Sequence, residues 1–372
     1  MEQIPSMMKA MQLEAPAPVV EAPLRLVERP VPTPGFGQVL IRVRACGVCR
    51  TDLHIVEGEL PPHRSPVIPG HQIVGEVVAL GRGAELVSPG GEPSARPLSA
   101  GDRVGVPWLF QTDEECRFCR RGDENLCDGA RFTGYDVDGG FAEYAVAPAG
   151  WVYRLPAGMD VLAAAPLLCA GIIGYRCLRL VGVVGGEAEP AAKAGVNGGA
   201  MLAGPAQPRR LGIYGFGSAA HLCTQVARWR GWEVYAFTRG EEHRSLALEL
   251  GAAWAGAAAE DPGVLLDAAI VFAPVGELAV DALRRLDKGG VVALGGIYST
   301  PIPPIEYPLI YQERAVRSVA NSTRRDAREL LRDAAAAQVH SRVQEYGLEQ
   351  ANEALLDLKE DRVRGSAVLR VG

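Results

Sequence analysis

The stretch CGVCRTDLH, from Cys46 to His54, contains two thiols, a hydroxyl, a carboxylate and an imidazole within nine positions. Thiolates and imidazoles are ligands that Zn²⁺ prefers in proteins. Cys49, His71 and Cys169 are candidate ligands of one metal ion, although they lie far apart in the sequence. Spacing alone does not unite them, because cysteine is often simply buried and a histidine beside a Pro-Gly turn is often structural.

A second group of thiols is local. The segment DEECRFCRRGDENLC contains Cys116, Cys119 and Cys127. Short thiol spacing in a polar loop indicates a structural tetrahedral zinc site, which needs four ligands. Asp113 stands three residues before Cys116, and its carboxylate carries the same charge as a thiolate. We expect a filled Asp/Cys zinc site of lower affinity than four thiolates would give. The alternative is an empty or partly reduced loop.

A glycine-rich turn stands between a predicted strand and a predicted helix. RLGIYGFG is typical of a buried strand that runs into a turn, and Gly215, Gly217 and Ala220 fit the pattern G-x-G-x-x-A. Such glycines let the backbone approach a pyrophosphate, and the helix N-terminus supplies free N–H groups for the anion. A plain tight turn would use the same glycines, but the strand-turn-helix context favours a dinucleotide site.

The end of the next predicted strand bears on the choice of coenzyme. Where a free ribose 2′-hydroxyl would require an acidic residue, this chain has Thr238 followed by Arg239. The missing carboxylate removes repulsion toward a 2′-phosphate, and the guanidinium can pair with that phosphate. The sequence therefore favours NADP(H) over NAD(H). The alternative is that Arg239 is a solvated loop residue or stacks on adenine.

Length and hydropathy pattern predict two domains. A chain of 372 residues exceeds one compact core of ordinary size. Alternating runs such as QVLIRVRA and IVGEVVAL predict a β-rich, loop-rich domain over residues 30–155. From residue 209 onward, alternating strands and helices predict an α/β domain with a parallel sheet. Residues 182–210, rich in Gly, Ala and Pro, predict a flexible surface insertion.

Composition narrows the functional classes. Hydrophobic residues make up 48% of the chain and charged residues 22%, and a net charge of −6 offers no basic face for nucleic acid. The longest apolar stretch, VLAAAPLLCAGIIGY, is broken by proline and glycine and is too short for a membrane span. The N-terminus lacks a secretory pattern. Eight cysteines suit metal or thiol chemistry in a reducing compartment. We therefore expect a cytoplasmic protein without a nucleic-acid or membrane partner.

Four motifs, in this order, resemble those of the zinc-dependent medium-chain alcohol dehydrogenases of the medium-chain dehydrogenase/reductase superfamily. They are the cysteine cluster, the segment GHQIVGEV, the CAG that begins at Cys169 and the glycine fingerprint. The resemblance covers nearly the whole chain. It implies a GroES-like, β-rich catalytic domain formed by residues 1–170 and 316–372. A Rossmann domain with a doubly wound parallel sheet, residues 171–315, would be inserted between them.

The resemblance also implies an activity, namely an NAD(P)-dependent alcohol dehydrogenase that interconverts primary alcohols and aldehydes by hydride transfer. It makes Cys49, rather than Cys46, a ligand of a catalytic zinc, together with His71 and Cys169, and leaves a fourth position open. A homo-oligomer, dimer or tetramer, is implied as well. The alternatives are a zinc-free quinone or enoyl reductase of the same superfamily and a non-enzymatic nucleotide-binding redox sensor.

Further roles follow from the resemblance. Thr51 matches the hydroxyl that bonds the substrate alcohol, and His54 matches the far end of a proton relay. Asp52 matches a carboxylate that orients the zinc-binding histidine. Arg50 and Arg364 match positions that contact the cofactor pyrophosphate. An N-cap, a surface histidine and a turn residue are the structural alternatives for the first three.

The chain departs from the family pattern at several positions. Gln72 replaces a common glutamate, Asp113 replaces the first structural cysteine, and the loop at 182–210 is longer than usual. Trp108 matches an aromatic residue that narrows the substrate pocket, although a buried tryptophan is as often plain core. Val56 and Leu60 stand where relatives that act on small alcohols have further tryptophans. A wider pocket for longer or aromatic alcohols is therefore expected.

Overall fold

A computed structural model describes residues 3–185 and 208–372. The described chain forms two compact units. Unit 1 comprises Met1–Ile172, Asn321–Ala335 and His340–Gly372, and unit 2 comprises Ile173–Ala320 and Ala336–Val339. The domain boundaries expected after residues 170 and 315 stay a prediction. Most of the insertion predicted at 182–210 lies outside the described residues.

Strands and helices are numbered here in chain order. The strands are β1 (Met7–Leu13), β2 (Leu24–Pro30), β3 (Gln38–Val48), β4 (Gln72–Leu80), β5 (Arg103–Val106), β6 (Leu109–Gln111), β7 (Arg131–Phe132), β8 (Tyr144–Pro148), β9 (Tyr153–Arg154), β10 (Arg210–Tyr214), β11 (Glu233–Phe237), β12 (Trp254–Gly256), β13 (Leu266–Val271), β14 (Leu286–Leu294), β15 (Ala315–Ser318), β16 (Val343–Gly347) and β17 (Ser366–Arg370). The helices are α1 (Arg50–Glu57), α2 (Arg117–Arg120), α3 (Val161–Ala164), α4 (Ala170–Leu180), α5 (Ser218–Trp229), α6 (Glu241–Glu249), α7 (Glu277–Arg285), α8 (Tyr307–Ile310), α9 (Arg324–Ala336) and α10 (Ala351–Lys359).

Unit 1 is built around a largely antiparallel sheet. Its strands follow the order β16-β17-β3-β4-β5-β9, and β8 also pairs with β3. Most residues of β3 and β4 are buried against the hydrophobic core, and alternating exposure is confined to short stretches, such as Arg42 and Arg44 on either side of the buried Val43. The register pairs Gly47 near the end of β3 with Gln72 at the start of β4. This pairing brings Cys49, which follows β3, and His71, which precedes β4, to the same end of these two neighbouring strands.

Unit 2 contains a six-stranded parallel sheet in the order β12-β11-β10-β13-β14-β15. Renumbered from its first strand, this is the order 3-2-1-4-5-6 of a doubly wound dinucleotide-binding fold. The strands are rich in Val, Ile, Leu and Ala and are buried along most of their length, as strands covered by helices on both faces must be. The predicted α/β class with a parallel sheet is therefore confirmed.

Three local features differ from the sequence expectations. Helix α1 lies within the stretch expected to be strands and loops. The stretch LAVDALRRLDK at 278–288 is typical of a helix to its last residue, but α7 ends at Arg285 and the residues LDK begin β14. Strand β16, which pairs in parallel with β17, had no alternating apolar signal, since four of its five residues are at least partly exposed.

Within the described residues, no single helix is long and apolar enough to cross a membrane. The two helical segments Val161–Leu168 and Ala170–Leu180 meet that length and composition only when taken together across a bend.

Candidate active site and metal centres

Three predicted metal ligands converge in the structure. Cys49 Sγ lies 3.3 Å from His71 Nε2 and 3.9 Å from Cys169 Sγ. All three ligand atoms lie within 4.8 Å of one another. Donors bonded at about 2.0–2.3 Å to one tetrahedral zinc ion would be separated by roughly 3.5–3.8 Å. Two thiolates and one imidazole at these separations fit a zinc ion, and three protein ligands are the number found in catalytic sites.

Backbone geometry explains how distant residues meet. Cys49 has extended backbone angles at the N-cap of α1, directly after β3. His71 directly precedes β4. Cys169 occupies the break between a short 3-10 turn that ends at Leu168 and helix α4. Each ligand therefore sits at the end of a regular element, where the chain can turn without losing ladder hydrogen bonds.

Asp52 forms hydrogen bonds with two of the candidate metal ligands. Its Oδ1 accepts hydrogen bonds from His71 Nδ1 at 3.0 Å and from the Gly70 backbone N–H at 3.2 Å. Its Oδ2 accepts the Cys49 backbone N–H at 2.9 Å, which also closes the first turn of α1. Asp52 and His71 are both completely buried. The carboxylate therefore fixes the His71 ring with Nε2 toward the cysteines.

The pKa values of the three candidate ligands are shifted in different directions. The hydrogen bond from Cys169 and the neighbouring His71 hold the pKa of Cys49 well below its ordinary value. The pKa of Cys169 is raised by Cys49 and by burial. Burial lowers the pKa of His71, but Asp52 and Cys49 more than offset this and raise it to about 10. A divalent cation bound by these donors would displace protons from them.

The predicted relay residues share helix α1. Thr51 and His54 are three residues apart, so their side chains lie on the same face of the helix, and both are partly buried. His54 Nδ1 contacts Glu59 Oε2. Sequence reasoning missed Glu59, although Gly58, a typical helix-ending residue, could have indicated that the chain turns back there.

The two arginines expected at the cofactor pyrophosphate lie on the surface of unit 1. Arg50 forms an exposed ion pair with Asp361, with 2.7 Å between Nη2 and Oδ1. Arg364 is exposed, and its backbone N–H donates to Gln344 Oε1 at 3.1 Å.

An aromatic stack borders the metal cluster. The Trp108 ring meets the His71 ring edge-on, with centroids 4.9 Å apart. Trp108 also stacks on Phe132 at 4.9 Å and on Tyr135 at 5.9 Å. Val56 is completely buried within the hydrophobic core of unit 1, and Leu60 packs against that core while partly exposed. Of the predicted pocket residues Trp108, Val56 and Leu60, Trp108 is therefore the one whose ring contacts the candidate ligand His71.

The second candidate metal cluster also assembles. Ligand atoms of Asp113, Cys116, Cys119 and Cys127 all lie within 4.8 Å of one another. Asp113 Oδ1 accepts the backbone N–H groups of Cys116 and Glu115, each at 2.9 Å. These two hydrogen bonds hold the pKa of Asp113 well below its usual range, so the carboxylate is charged and available to a cation. Three sulfurs and one oxygen match a closed, four-ligand structural zinc site.

Helix α9 anchors this cysteine-rich loop. Arg324 at the start of α9 pairs with Glu114 at 2.7 Å and with the buried Glu124 at 3.3 Å. Its guanidinium also lies over the Trp151 ring, 4.3 Å from the centroid. The loop is therefore held to unit 1 independently of any metal.

In unit 2 the glycine fingerprint lies at the carboxyl end of β10 and opens α5. Gly215 has φ +87°, and a Cβ there would lie 2.9 Å from the Ala273 backbone nitrogen, so glycine is needed. Gly217 is the N-cap of α5, and a Cβ on it would meet nothing within 4 Å. Ala220 is completely buried. The turn thus leaves open space above the N-terminus of a twelve-residue helix, where an anion is stabilised.

The two residues that follow β11 differ in their exposure. Thr238 is buried, and Arg239 is exposed. In the part of the chain that the structure describes, no hydrogen bond or ion pair engages the Arg239 guanidinium. The neighbouring Arg244, in contrast, binds the Thr238 carbonyl at 3.1 Å and Glu260 at 3.5 Å.

Comparison with known proteins agrees with this architecture. Residues 35–157 match the alcohol dehydrogenase GroES-like domain. The chain is 47% identical over 365 residues to the probable alcohol dehydrogenase AdhA of Mycobacterium tuberculosis, covering 98% of this chain and 97% of that one. It is 32% identical to an alcohol dehydrogenase of Geobacillus stearothermophilus, covering 90% and 92% respectively. A cinnamyl alcohol dehydrogenase of Sorghum bicolor superposes with TM-score 0.80 at 25% identity, covering 98% of this chain and 97% of that one. This chain therefore belongs to the medium-chain alcohol dehydrogenase family and is an oxidoreductase.

Proposed function

We propose that this enzyme interconverts primary alcohols and aldehydes with NADP(H), using a zinc ion held by Cys49, His71 and Cys169. The observation that carries the proposal is the convergence of these three donors behind the buried Asp52. When bound, zinc supplies Lewis-acid polarisation of the substrate oxygen, and the nicotinamide ring accepts or donates the hydride. A metal-to-protein ratio measured together with turnover of a panel of alcohols and aldehydes tests it.

The chain's own residues orient the His71 ring and transfer the proton of the substrate alcohol. Asp52 holds the His71 ring in place and keeps its Nδ1 protonated. The Thr51 hydroxyl can accept the proton of the substrate alcohol while donating its own, and His54 on the same helix face receives the proton. Arg50 and Arg364 remain proposed contacts of the cofactor pyrophosphate, which would require Arg50 to exchange Asp361 for the phosphates.

The alternative activity, a zinc-free quinone or enoyl reductase, would not need the convergent thiolates and imidazole. It predicts turnover of quinones or enones that is insensitive to metal removal. The non-enzymatic alternative predicts nucleotide binding without turnover of any alcohol or aldehyde. We further propose a cytoplasmic location, because eight cysteines suit a reducing compartment, and a homo-oligomer on the basis of the family resemblance.

We propose a structural role for the zinc site at 113–127 and expect Asp113→Ala to lower zinc content from two ions to one per chain. A ligand present at 100 times its Kd stabilises the folded state by about 2.7 kcal/mol. At about 2–4 °C per kcal/mol, its loss would lower the Tm by about 5–10 °C. Elemental analysis and thermal denaturation measure both quantities.

Asp113→Cys is the matched variant, because it completes a four-thiolate set. It should keep two zinc ions and release the second ion more slowly to a chelator than the parent protein does. Equal zinc content and equal Tm in the alanine variant and the parent would show that Asp113 is not a ligand.

We expect Trp108→Ala to change substrate preference more than overall turnover. Loss of the indole beside His71 enlarges the space near the metal cluster. One methylene group in a hydrophobic pocket is worth about 1–3 kcal/mol, so the ratio of kcat/KM for cinnamyl alcohol to that for ethanol should rise at least roughly 10–100-fold. Trp108→Phe, which retains an aromatic ring, should shift the ratio less. An unchanged ratio in both variants would place Trp108 outside the pocket.

A further inference from the structure

A carboxylate stands beside the predicted relay histidine. Helix α1 ends at Glu57, and Gly58 turns the chain with φ +80°. The Leu60 backbone N–H then donates to the His54 carbonyl at 3.1 Å. This turn folds the chain back over the last helical turn, so that Glu59 Oε2 meets His54 Nδ1. The contact is thus produced by backbone geometry as well as by two side-chain rotamers.

The chemistry of the pair determines the position of the ring proton. An ionised carboxylate has no proton to donate and can only accept. In the neutral ring the proton must therefore reside on Nδ1, which leaves the lone pair of Nε2 free. A histidine in water without such an acceptor mostly carries its proton on Nε2, where it could not accept another.

Other charged groups around His54 are engaged elsewhere. Glu57 faces His54 from the same helix, but its carboxylate accepts Lys359 Nζ of α10 at 2.6 Å and the Val19 backbone N–H at 2.9 Å. Arg50, at the start of α1, pairs with Asp361. Glu59 is largely exposed and has His54 as its hydrogen-bond partner. Among the described residues, Glu59 is therefore the carboxylate that bonds directly to this ring.

We propose that Glu59 is a positioning residue of the proton relay, holding His54 in the Nδ1-protonated form so that Nε2 accepts the proton released by alcohol oxidation. This inference rests on the proposed function. Oxidation of one alcohol to one aldehyde gives one hydride to the nicotinamide and releases one proton. That proton binds Nε2, the resulting imidazolium is paired with Glu59, and the ring then loses one proton to water.

The tautomer can be measured directly by ¹⁵N NMR of the histidine side chains in the zinc-loaded enzyme, at a pH where His54 is neutral. His54→Gln assigns the resonance by its absence. The parent protein is expected to show Nδ1–H for His54, whereas Glu59→Ala should show mainly Nε2–H. Glu85→Ala is the matched control, because it removes an exposed carboxylate from a distant turn at 84–86 and should leave the tautomer unchanged.

Kinetics supply a second readout. Glu59→Ala should lower kcat for alcohol oxidation roughly tenfold with little change in KM. This is a part of the roughly 10²–10⁴-fold that general acid–base catalysis contributes, since His54 itself remains. In the His54→Gln background, the same substitution should have no further effect on kcat. A parent enzyme with His54 in the Nε2–H form, or an equal effect of Glu59→Ala with and without His54, would overturn the proposal. Absence of alcohol turnover in the parent would instead refute the proposed function, and the tautomer measurement would still decide the role of Glu59.

Discussion

Cys49→Ser is expected to reduce kcat/KM for alcohol oxidation by roughly 10³-fold or more, because Lewis-acid stabilisation is worth several kcal/mol and each 1.36 kcal/mol is about tenfold in rate. Cys49 is the central donor of its cluster, lying close to both His71 Nε2 and Cys169 Sγ. A serine hydroxyl in its place would leave one thiolate and one imidazole. Zinc content should fall from two ions to one per chain, measured alongside steady-state kinetics.

Cys46→Ser is the matched control, three residues upstream on β3. Cys46 is completely buried and contacts the Gly47 carbonyl, with 3.7 Å between Sγ and O. Burial raises the pKa of this thiol well above its ordinary value, so it is a packed neutral group. The control should keep both zinc ions and nearly full activity while losing some stability. Unchanged turnover in Cys49→Ser would reject zinc catalysis, and equal losses in both variants would point to general misfolding.

The catalytic cluster shows what sequence alone could and could not predict. Cys49, His71 and Cys169 are separated by 22 and 98 residues, and such spacing does not predict that they share one site. The resemblance to the family was needed to select them. The physical reason for their meeting is the register of β3 and β4, which is a long-range property of the sheet. The cluster at 113–127, in contrast, could be predicted from local spacing, because a short loop can fold around one ion without help from distant strands.

The fold itself was predictable where hydrophobic periodicity is strong. The strands of unit 2 are apolar and bounded by glycine turns, so their parallel arrangement followed from the sequence. Prediction failed where tertiary pairing overrides local preference. The polar start of β14 and the partly exposed β16 are strands because a neighbouring strand completes their hydrogen bonds. Glu59 was missed for a similar reason, since its role depends on the turn at Gly58 rather than on a motif.

Arg239→Ala is expected to reduce kcat/KM with NADP by roughly 10–100-fold, because hydrogen bonds to charged groups are worth about 1.5–3 kcal/mol. The Arg239 side chain is exposed directly after β11, and within the described residues no acidic group pairs with it. It can therefore bind a 2′-phosphate without first breaking an ion pair. Initial rates with NADP and with NAD, at saturating alcohol, measure the effect. Activity with NAD should change little, since that coenzyme lacks the 2′-phosphate.

Two acidic residues near Arg239 oppose the binding of a 2′-phosphate. Glu241 and Glu242 begin α6 two residues beyond Arg239, and their charges would repel a phosphate that came near them. The N-terminus of the helix stabilises these carboxylates and partly offsets their field. Arg284→Ala removes another exposed guanidinium, one paired with Asp281 at 2.8 Å, and should leave activity with both coenzymes unaffected. A strong preference of the parent enzyme for NAD would mean that the two glutamates dominate the local field and that Arg239 has no phosphate to bind.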